Sequence, residues 1–332
     1  MEKIDFVVTY LDSRDKEWQA DRAKYSGKSL DETLNDESRF RNMDNFHYWF
    51  RAVEKYAPWV NKIHLVTYGH VPDWLNVEHP KINIVNHKDF IEDKYLPTFN
   101  SNVIELNMDR IDGISEKFVN FNDDFFLNNE VQPNDFFNKG LPVLQAMHTP
   151  ILPSESFNVV LFNNILALNN INCSKKSLFQ WKNFSIKNGI FAVAANLLML
   201  PILLYMKKFV GYRPDHLAQP FTKTIYKEVK NMASESINQA YSSKFRSKES
   251  ISIWFILDYI RATGQFHPHN SFKFGGLFPM GKNTDYQQIL NSKKKIVCFN
   301  DGIDIDIDFE LEKDRLNEAL EKKYFKKSEF EK

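Results

Sequence analysis

Cysteine is almost missing from this chain. Its two thiols, Cys173 and Cys298, lie far apart and in no metal-like spacing, so neither a disulfide framework nor a thiolate zinc site underlies the fold. Two reduced thiols inside a cell are expected. Glycine is thin as well, 11 residues in 332. There is no G-x-x-x-x-G-K-[ST] phosphate loop and no G-x-G-x-x-G turn, and G-x-S-x-G, H-E-x-x-H and C-x-x-C are also lacking. P-loop kinases, dinucleotide enzymes, serine hydrolases and zinc proteases lose their signatures with them. A surplus of one charge is missing too. Lys+Arg and Asp+Glu both number 43, so the basic excess of a nucleic-acid binder is absent and no nucleic-acid partner is expected. The opening MEKIDFVVTY carries Glu2 and Asp5 where a secretory leader needs a basic start and a longer apolar run.

Long apolar runs reduce to one. Residues 189–206 read GIFAVAANLLMLPILLYM, with Lys207 and Lys208 behind them. The run is near the lower limit for a membrane-spanning helix and contains Asn196 and Pro201. It predicts a buried core helix, with shallow membrane contact as the alternative. The 322–327 tail, rich in Lys and aromatics, is a second candidate for such contact and reads as a solvated helix end. With 43% hydrophobic and 26% charged residues the chain can bury a sizeable core. Its 14% aromatic share suits a packed core or a sugar-stacking cleft.

Residues 4–10 (IDFVVTY), 62–67 (KIHLVT), 81–85 (KINIV), 118–121 (FVNF) and 295–299 (KIVCF) are short apolar runs that predict buried strands. Phe46, Trp49, Phe50, Val53 and Ala57 recur at helical spacing, with Asp44 or Asn45 able to cap the start and Pro58 marking the stop. Polar residues 13–38 predict loop and short helix over a site. Residues 222–237 and 249–262 predict helices. The alternation is that of an α/β domain with a largely parallel, Rossmann-like sheet, followed by a helical C-terminal part. A single domain over 1–332 is expected, with 1–150 as the α/β half and 151–332 as the mostly helical half completing the site.

In such a sheet ligands bind beyond the carboxyl ends of the strands. Asp12, the Asn122-Asp123-Asp124 group and the Asn300-Asp301-Gly302 group all follow apolar runs. Strand-end carboxylates can seat Mg²⁺, which takes oxygen ligands and substrate phosphates. The competing reading is a simple Asx turn. Arg39, Arg41 and Arg51 surround the start of the first clear helix, and Arg246 precedes another. Arginine presents a fork of donors matched to phosphate oxygens. His216, in YRPDHLAQP, can move a proton near neutral pH. Eight other histidines compete with it on composition alone.

The ordered blocks IDFVVTYLDSRDKEW (4–18), SRFRNMDNFHYWFRAVEKYAPWVNKIHLVTYGHVPDWLN (38–76), HPKINIVNHKDFI (79–91) and LPTFNSNVIELNMDRIDGISEKFVNFNDDFFL (96–127) carry a resemblance. It continues through YRPDHLAQPFTKTIYKEV (212–229), SKFRSKES (243–250) and VCFNDG (297–302). The chain resembles the Stealth family of capsule and exopolysaccharide hexose-1-phosphate transferases, which is related to animal N-acetylglucosamine-1-phosphotransferase. Two departures are Tyr324-Phe325-Lys326, in place of a Phe-Pro pair, and Asn45-Phe46, in place of Glu-Leu.

The resemblance implies a glycosyltransferase-A-like nucleotide-sugar fold and a catalytic set of Glu105, Asp124, His216 and Arg246. It implies a nucleotide-sugar donor, a UDP-hexose or UDP-N-acetylhexosamine, held by the first two blocks, with Thr9, Asp12, Arg39, Arg41, Arg51, Asn100 and Asn102 as substrate-binding residues. The metal would be Mg²⁺ or Mn²⁺, with Asp124 as a ligand and Asp123 and Asp301 as further candidates. The acceptor would be an oligosaccharide or lipid-linked glycan, met in the cytoplasm or at the inner face of the cell membrane. His216 and Glu105 both remain candidates for the general base. An ordinary metal-dependent glycosyltransferase and a non-catalytic glycan-binding protein are the competing classes.

Overall fold

The structure is a computed structural model that describes residues 2–26, 34–36, 40–171, 179–301 and 307–332. Its centre is a five-stranded sheet. β1 (Ile4–Thr9), β2 (Ile63–Thr67), β3 (Ile82–Asn86) and β4 (Lys117–Asn122) run parallel in the order β3-β2-β1-β4. The apolar IDFVVT run predicted as a buried strand is one: residues 4–8 of β1 are buried, as a strand covered on both faces requires. Asp5 is fully buried within it, yet it accepts from Asn61 Nδ2 at 2.7 Å, from the Ser115 backbone N–H at 2.7 Å, and faces His64 Nε2 at 3.2 Å. Burial alone would raise its pKa, but these bonds outweigh it and hold the carboxyl below its ordinary value.

After β4 the chain turns at Asp123-Asp124 into β5 (Phe125–Leu127). A small hairpin follows, β6 (Phe137–Asn138) and β7 (Leu141–Leu144). β8 (Gln219–Thr222) returns to pair antiparallel with β4, and β9 (His267–Pro268) pairs with β7. β10 (Gly275–Pro279) and β11 (Ile296–Asn300) are parallel to one another, and β11 lies antiparallel to β5 with Cys298 opposite Phe125. That second sheet sets the end of β11 beside the end of β4.

The helices are α1 (Lys16–Tyr25), α2 (Phe46–Tyr56), α3 (Ser101–Glu105), α4 (Pro133–Phe136), α5 (Ser156–Asn170), α6 (Ile190–Met206), α7 (Lys223–Met232), α8 (Ser234–Ser242), α9 (Trp254–Thr263), α10 (Ser271–Phe274), α11 (Tyr286–Leu290) and α12 (Phe309–Lys323). The α/β expectation with a Rossmann-like parallel sheet and a helical C-terminal part holds. The single helix expected over 222–237 is two, broken at Ala233. Thr222 closes β8 and caps α7 by accepting from the Ile225 N–H. α9 starts later than expected because Ser252 is bonded through its backbone N–H and hydroxyl to the buried Asn164 of α5.

The expectation of a core helix over 189–206 is overturned. The helix forms, but only Ala192, Asn196 and Leu203 of α6 are buried. Asn196 is its anchor: Nδ2 donates to the Ala146 and Asn183 carbonyls, and Oδ1 accepts from the His148 N–H at 2.7 Å. A helix whose buried face centres on an asparagine and most of whose apolar residues point outward reverses the pattern of a soluble surface helix. The 322–327 tail is likewise not simply solvated, since Tyr324 is buried with its hydroxyl donating to the Leu127 carbonyl at 2.7 Å.

Candidate active site

The strand order places the site. The chain steps from β1 outward to β2 and β3, then returns to the other side of β1 with β4, so the switch point lies between β1 and β4. Thr9 and Asn122 stand opposite one another at the carboxyl ends of these strands. A cleft of about 920 Å³ opens there, lined by Thr9, Arg41, Asn102, Glu105, Asp123, Asp124, His216, Arg246 and Asp301 among others.

Asp124 sits on the floor. Its Oδ2 accepts from the Cys298 thiol at 3.2 Å, while Oδ1 is buried with no hydrogen-bond partner among the described residues. Enclosure by protein raises its pKa, and His216 opposes the shift. The same enclosure, reinforced by the charge of Asp124, pushes Asp123 up to about 7. Asp301 is raised by burial against the pull of Arg41, whose Nη1 lies 3.7 Å from Oδ2. That Oδ2 is also buried and, among the described residues, has the Arg41 ion pair but no hydrogen bond. Buried carboxylate oxygens so sparsely bonded among crowded acids are what a bound cation would satisfy.

Asp124, His216 and Cys298 bring one ligand atom each within 4.8 Å of one another. Cys298 is the weak member, because burial and then Asp124 hold its thiol well above the ordinary pKa and only a thiolate ligates well. The carboxylates and the imidazole fit an oxygen-preferring divalent ion.

The cleft is also lined by Glu105 and Arg246. Glu105 ends α3, with its backbone carbonyl accepting from the Tyr226 hydroxyl at 2.9 Å. Burial pushes its carboxyl up to about 7, and Arg246 pulls the other way. Arg246 donates through Nε and Nη2 to Ser101 Oγ at 3.2 and 2.9 Å. Asn35 brackets its backbone, donating to the Arg246 carbonyl at 3.0 Å and accepting from its N–H at 3.3 Å.

Not every sequence candidate lines the cleft. Asn100 caps α3 and donates to the Ser243 and Phe245 carbonyls at 3.2 Å, so it holds the segment that presents Arg246. Asp12 is engaged by the Arg14 guanidinium, which, by hydrogen bonding, lowers its pKa to about 2. Arg39 lies outside the described residues.

Arg51 is a correction. It sits on α2 facing the C-terminal tail, donating bidentately to Glu331 at 2.8 and 2.9 Å and to the Tyr324 carbonyl at 2.8 Å. Its donors are spent on the fold, and Glu331 is itself buried there. Arg51→Ala is expected to lower the unfolding free energy by about 3–5 kcal/mol by leaving that carboxylate unpaired. Denaturant titration measures the loss, and donor KM in the folded fraction should not move.

Residues that sequence reasoning missed include Cys298, Ser101 and Asn35. It also missed Trp18, Phe40 and Phe99, which line one side of the cleft. Only the high aromatic share hinted at these rings. Phe99 stacks on Phe245 at 5.0 Å, joining this wall to the Arg246 segment.

One cleft thus holds clustered carboxylates and an arginine beside a half-buried acid, groups whose chemistry suits a phosphorylated substrate. Residues 39–143 match the Stealth protein CR2 family model, conserved region 2. The capsular polysaccharide phosphotransferase WcwK of Streptococcus pneumoniae is 39% identical over 332 residues, covering 99% of both chains. The exopolysaccharide phosphotransferase cps2G of Lactiplantibacillus plantarum is 36% identical, covering 99% of this chain and 96% of its own. The receptor polysaccharide phosphotransferase WefC of Streptococcus oralis is 36% identical over 92% of each. Among solved structures, the galactosyltransferase LgtC aligns over 96% of this chain and 95% of its own at TM-score 0.43 and 11% identity. The chain is an enzyme of the phosphotransferase class. It belongs to the Stealth family.

Proposed function

We propose that this enzyme transfers a sugar-1-phosphate from a nucleotide sugar, a UDP-hexose or UDP-N-acetylhexosamine, to a glycan hydroxyl in capsular or exopolysaccharide synthesis. The observation that supports it most is that one cleft is lined by the sparsely hydrogen-bonded carboxylates of Asp124 and Asp301, by Arg246 and by the raised Glu105. The donor diphosphate lies in this cleft. Asp124, Asp301 and His216 would hold Mg²⁺ or Mn²⁺, which when bound offsets phosphate charge. Arg246, held by Ser101 and Asn35, faces the non-bridging oxygens of the transferred phosphoryl group. Charge stabilisation and positioning are the larger part of such catalysis.

The acceptor hydroxyl attacks the phosphorus next to the sugar, and Glu105 takes its proton. The bond from that phosphorus to the bridging oxygen breaks, UMP leaves, and a sugar–phosphate–sugar diester remains. His216, beside Asp124 and edge-on to Phe125 at 4.9 Å, orients the carboxylate wall. The acceptor is an oligosaccharide or a lipid-linked glycan.

The test is product analysis with a panel of UDP-sugars, a divalent cation and acceptor oligosaccharides. UMP together with a phosphodiester ³¹P resonance is expected. Release of UDP with no phosphorus in the product would make the reaction glycosyl transfer and overturn this reading.

A further inference from the structure

We propose that α6 and the turn before it form a docking surface for an anionic lipid bilayer, on which the enzyme lies without crossing it. The surface is apolar where a soluble helix is polar. Ile190, Phe191, Leu198 and Tyr205 are each at least 77% exposed, and Trp181 and Ile186, just upstream, are 71% and 83% exposed. The helix is fixed in this orientation from below. Asn196 bonds to the backbone of residues 146, 148 and 183. Asn188 donates to the Lys182 and Asn183 carbonyls and accepts from the Ala146 N–H. Turning the apolar side inward would strand these buried amides, so the outward face is built into the fold.

Charge selects the occupant. Between Ser156 and Pro214 the sequence has no Asp or Glu, while it holds six lysines and Arg213; Arg213 is paired with Asp215 and Lys182 donates to the Gly264 and Phe266 carbonyls, so the lysines at the ends of α6 carry the argument. The whole chain is neutral, so this segment concentrates positive charge that the remainder balances. Lys187 and Lys207-Lys208 are exposed at the two ends of α6. Apolar and aromatic side chains flanked by lysines match the interface of a membrane bearing anionic headgroups. A second copy of the chain fits worse, because a two-fold interface on this helix would set lysines against lysines with no carboxylate from the segment to answer them. The helix is short for a span, since 17 residues rise about 25 Å against a hydrocarbon core of roughly 30 Å, and among the described residues no helix is long and apolar enough to cross a membrane.

The inference is independent of the reaction proposed above, since it is read without donor or acceptor. The full chain is sedimented with vesicles of phosphatidylcholine alone or phosphatidylcholine with phosphatidylglycerol. Expected is binding to the anionic vesicles, weakened at about 0.5 M salt, where charges are screened beyond a few ångströms. The double variant Phe191→Glu, Leu198→Glu changes exposed side chains only and should keep the wild-type Tm while losing about tenfold or more in partitioning. Lys207→Glu with Lys208→Glu should weaken anionic binding in the same direction as salt. A wild-type protein that stays in the supernatant with both vesicle types overturns the proposal. So does a wild-type dimer by light scattering that the Phe191/Leu198 variant converts to monomer, with no vesicle binding by either. Binding indifferent to salt and to the lysine reversal removes the anionic headgroup from it.

Discussion

Asp124→Asn should lose about 10³-fold or more in kcat/KM, the scale on which removing a preorganised charge-stabilising group or a metal acts, and yet fold at least as well as the wild type. The two effects have one origin. The Asp124 carboxyl is raised above 3.8 by burial, so the folded state holds a proton that the unfolded state releases. Stability from such a group is present below its unfolded pKa and is lost as pH rises through the higher folded value. Asp123, at about 7 partly because of Asp124's charge, titrates in the same sense.

At pH 8 without divalent ions both acids are therefore a burden on the fold, and an amide at 124 removes one charge and relieves its neighbour. Adding Mn²⁺ or Mg²⁺ should raise the Tm of the wild type in proportion to ln(1 + [L]/Kd), and should leave the Asn variant unmoved. A variant that loses both activity and stability would instead make Asp124 a structural residue. A cation-induced Tm rise that survives in Asp124→Asn would move the metal away from this wall.

How far the site could be read beforehand follows from which contacts are local. β1, β2, β3 and β4 were legible because a buried parallel strand is a short apolar run ended by a turn, a pattern complete within six residues or so. The acids at 123, 124 and 301 were legible as strand ends for the same reason. That they share one cleft was not, because it depends on β11 lying antiparallel to β5. The same register takes Cys298, an ordinary core residue in KIVCF, to Asp124.

Arg41 and Arg51 looked alike around one helix start. Their fates differ through Glu331, a partner 280 positions from Arg51, and no local spacing reports that. α6 shows the limit most sharply. Its composition predicts burial in something apolar, and composition cannot say whether that is protein or lipid. The orientation comes from three buried asparagines, Asn183, Asn188 and Asn196, of which the sequence presents only Asn196 as an interruption of the apolar run and the other two as ordinary polar residues before it. Glu105 was silent on pattern, since one acid at the end of a short helix is ordinary, and only resemblance pointed to it. Its distinguishing property is its enclosure, a product of the tertiary fold.

The largest pH effect is expected at that residue. Glu105 is pushed to about 7 by burial, with Arg246 opposing, and a general base must be ionised to act. The profile of kcat/KM should rise with pH through an apparent pKa near 7 and flatten above it, because this quantity reports the free enzyme's groups. Glu105→Gln should remove that limb and lower the plateau by about 10²–10⁴-fold, the usual contribution of general-base help.

Arg246→Gln offers an independent reading of the same group. It deletes the charge that holds Glu105 down, so the limb should move to higher pH in addition to the loss of phosphate stabilisation. The stability linkage runs opposite to activity: a carboxyl raised in the folded state contributes stability that is full below its unfolded value and lost as pH rises through about 7. The wild type is then most active where this group least favours the fold, and Glu105→Gln should flatten the decline in Tm between pH 6 and pH 8, about one pH unit either side of that pKa. Persistence of the acidic limb in Glu105→Gln would take the role of base away from Glu105. Asp123 and Asp124 would not contribute that limb, because a cation bound beside them would keep them ionised through the same range.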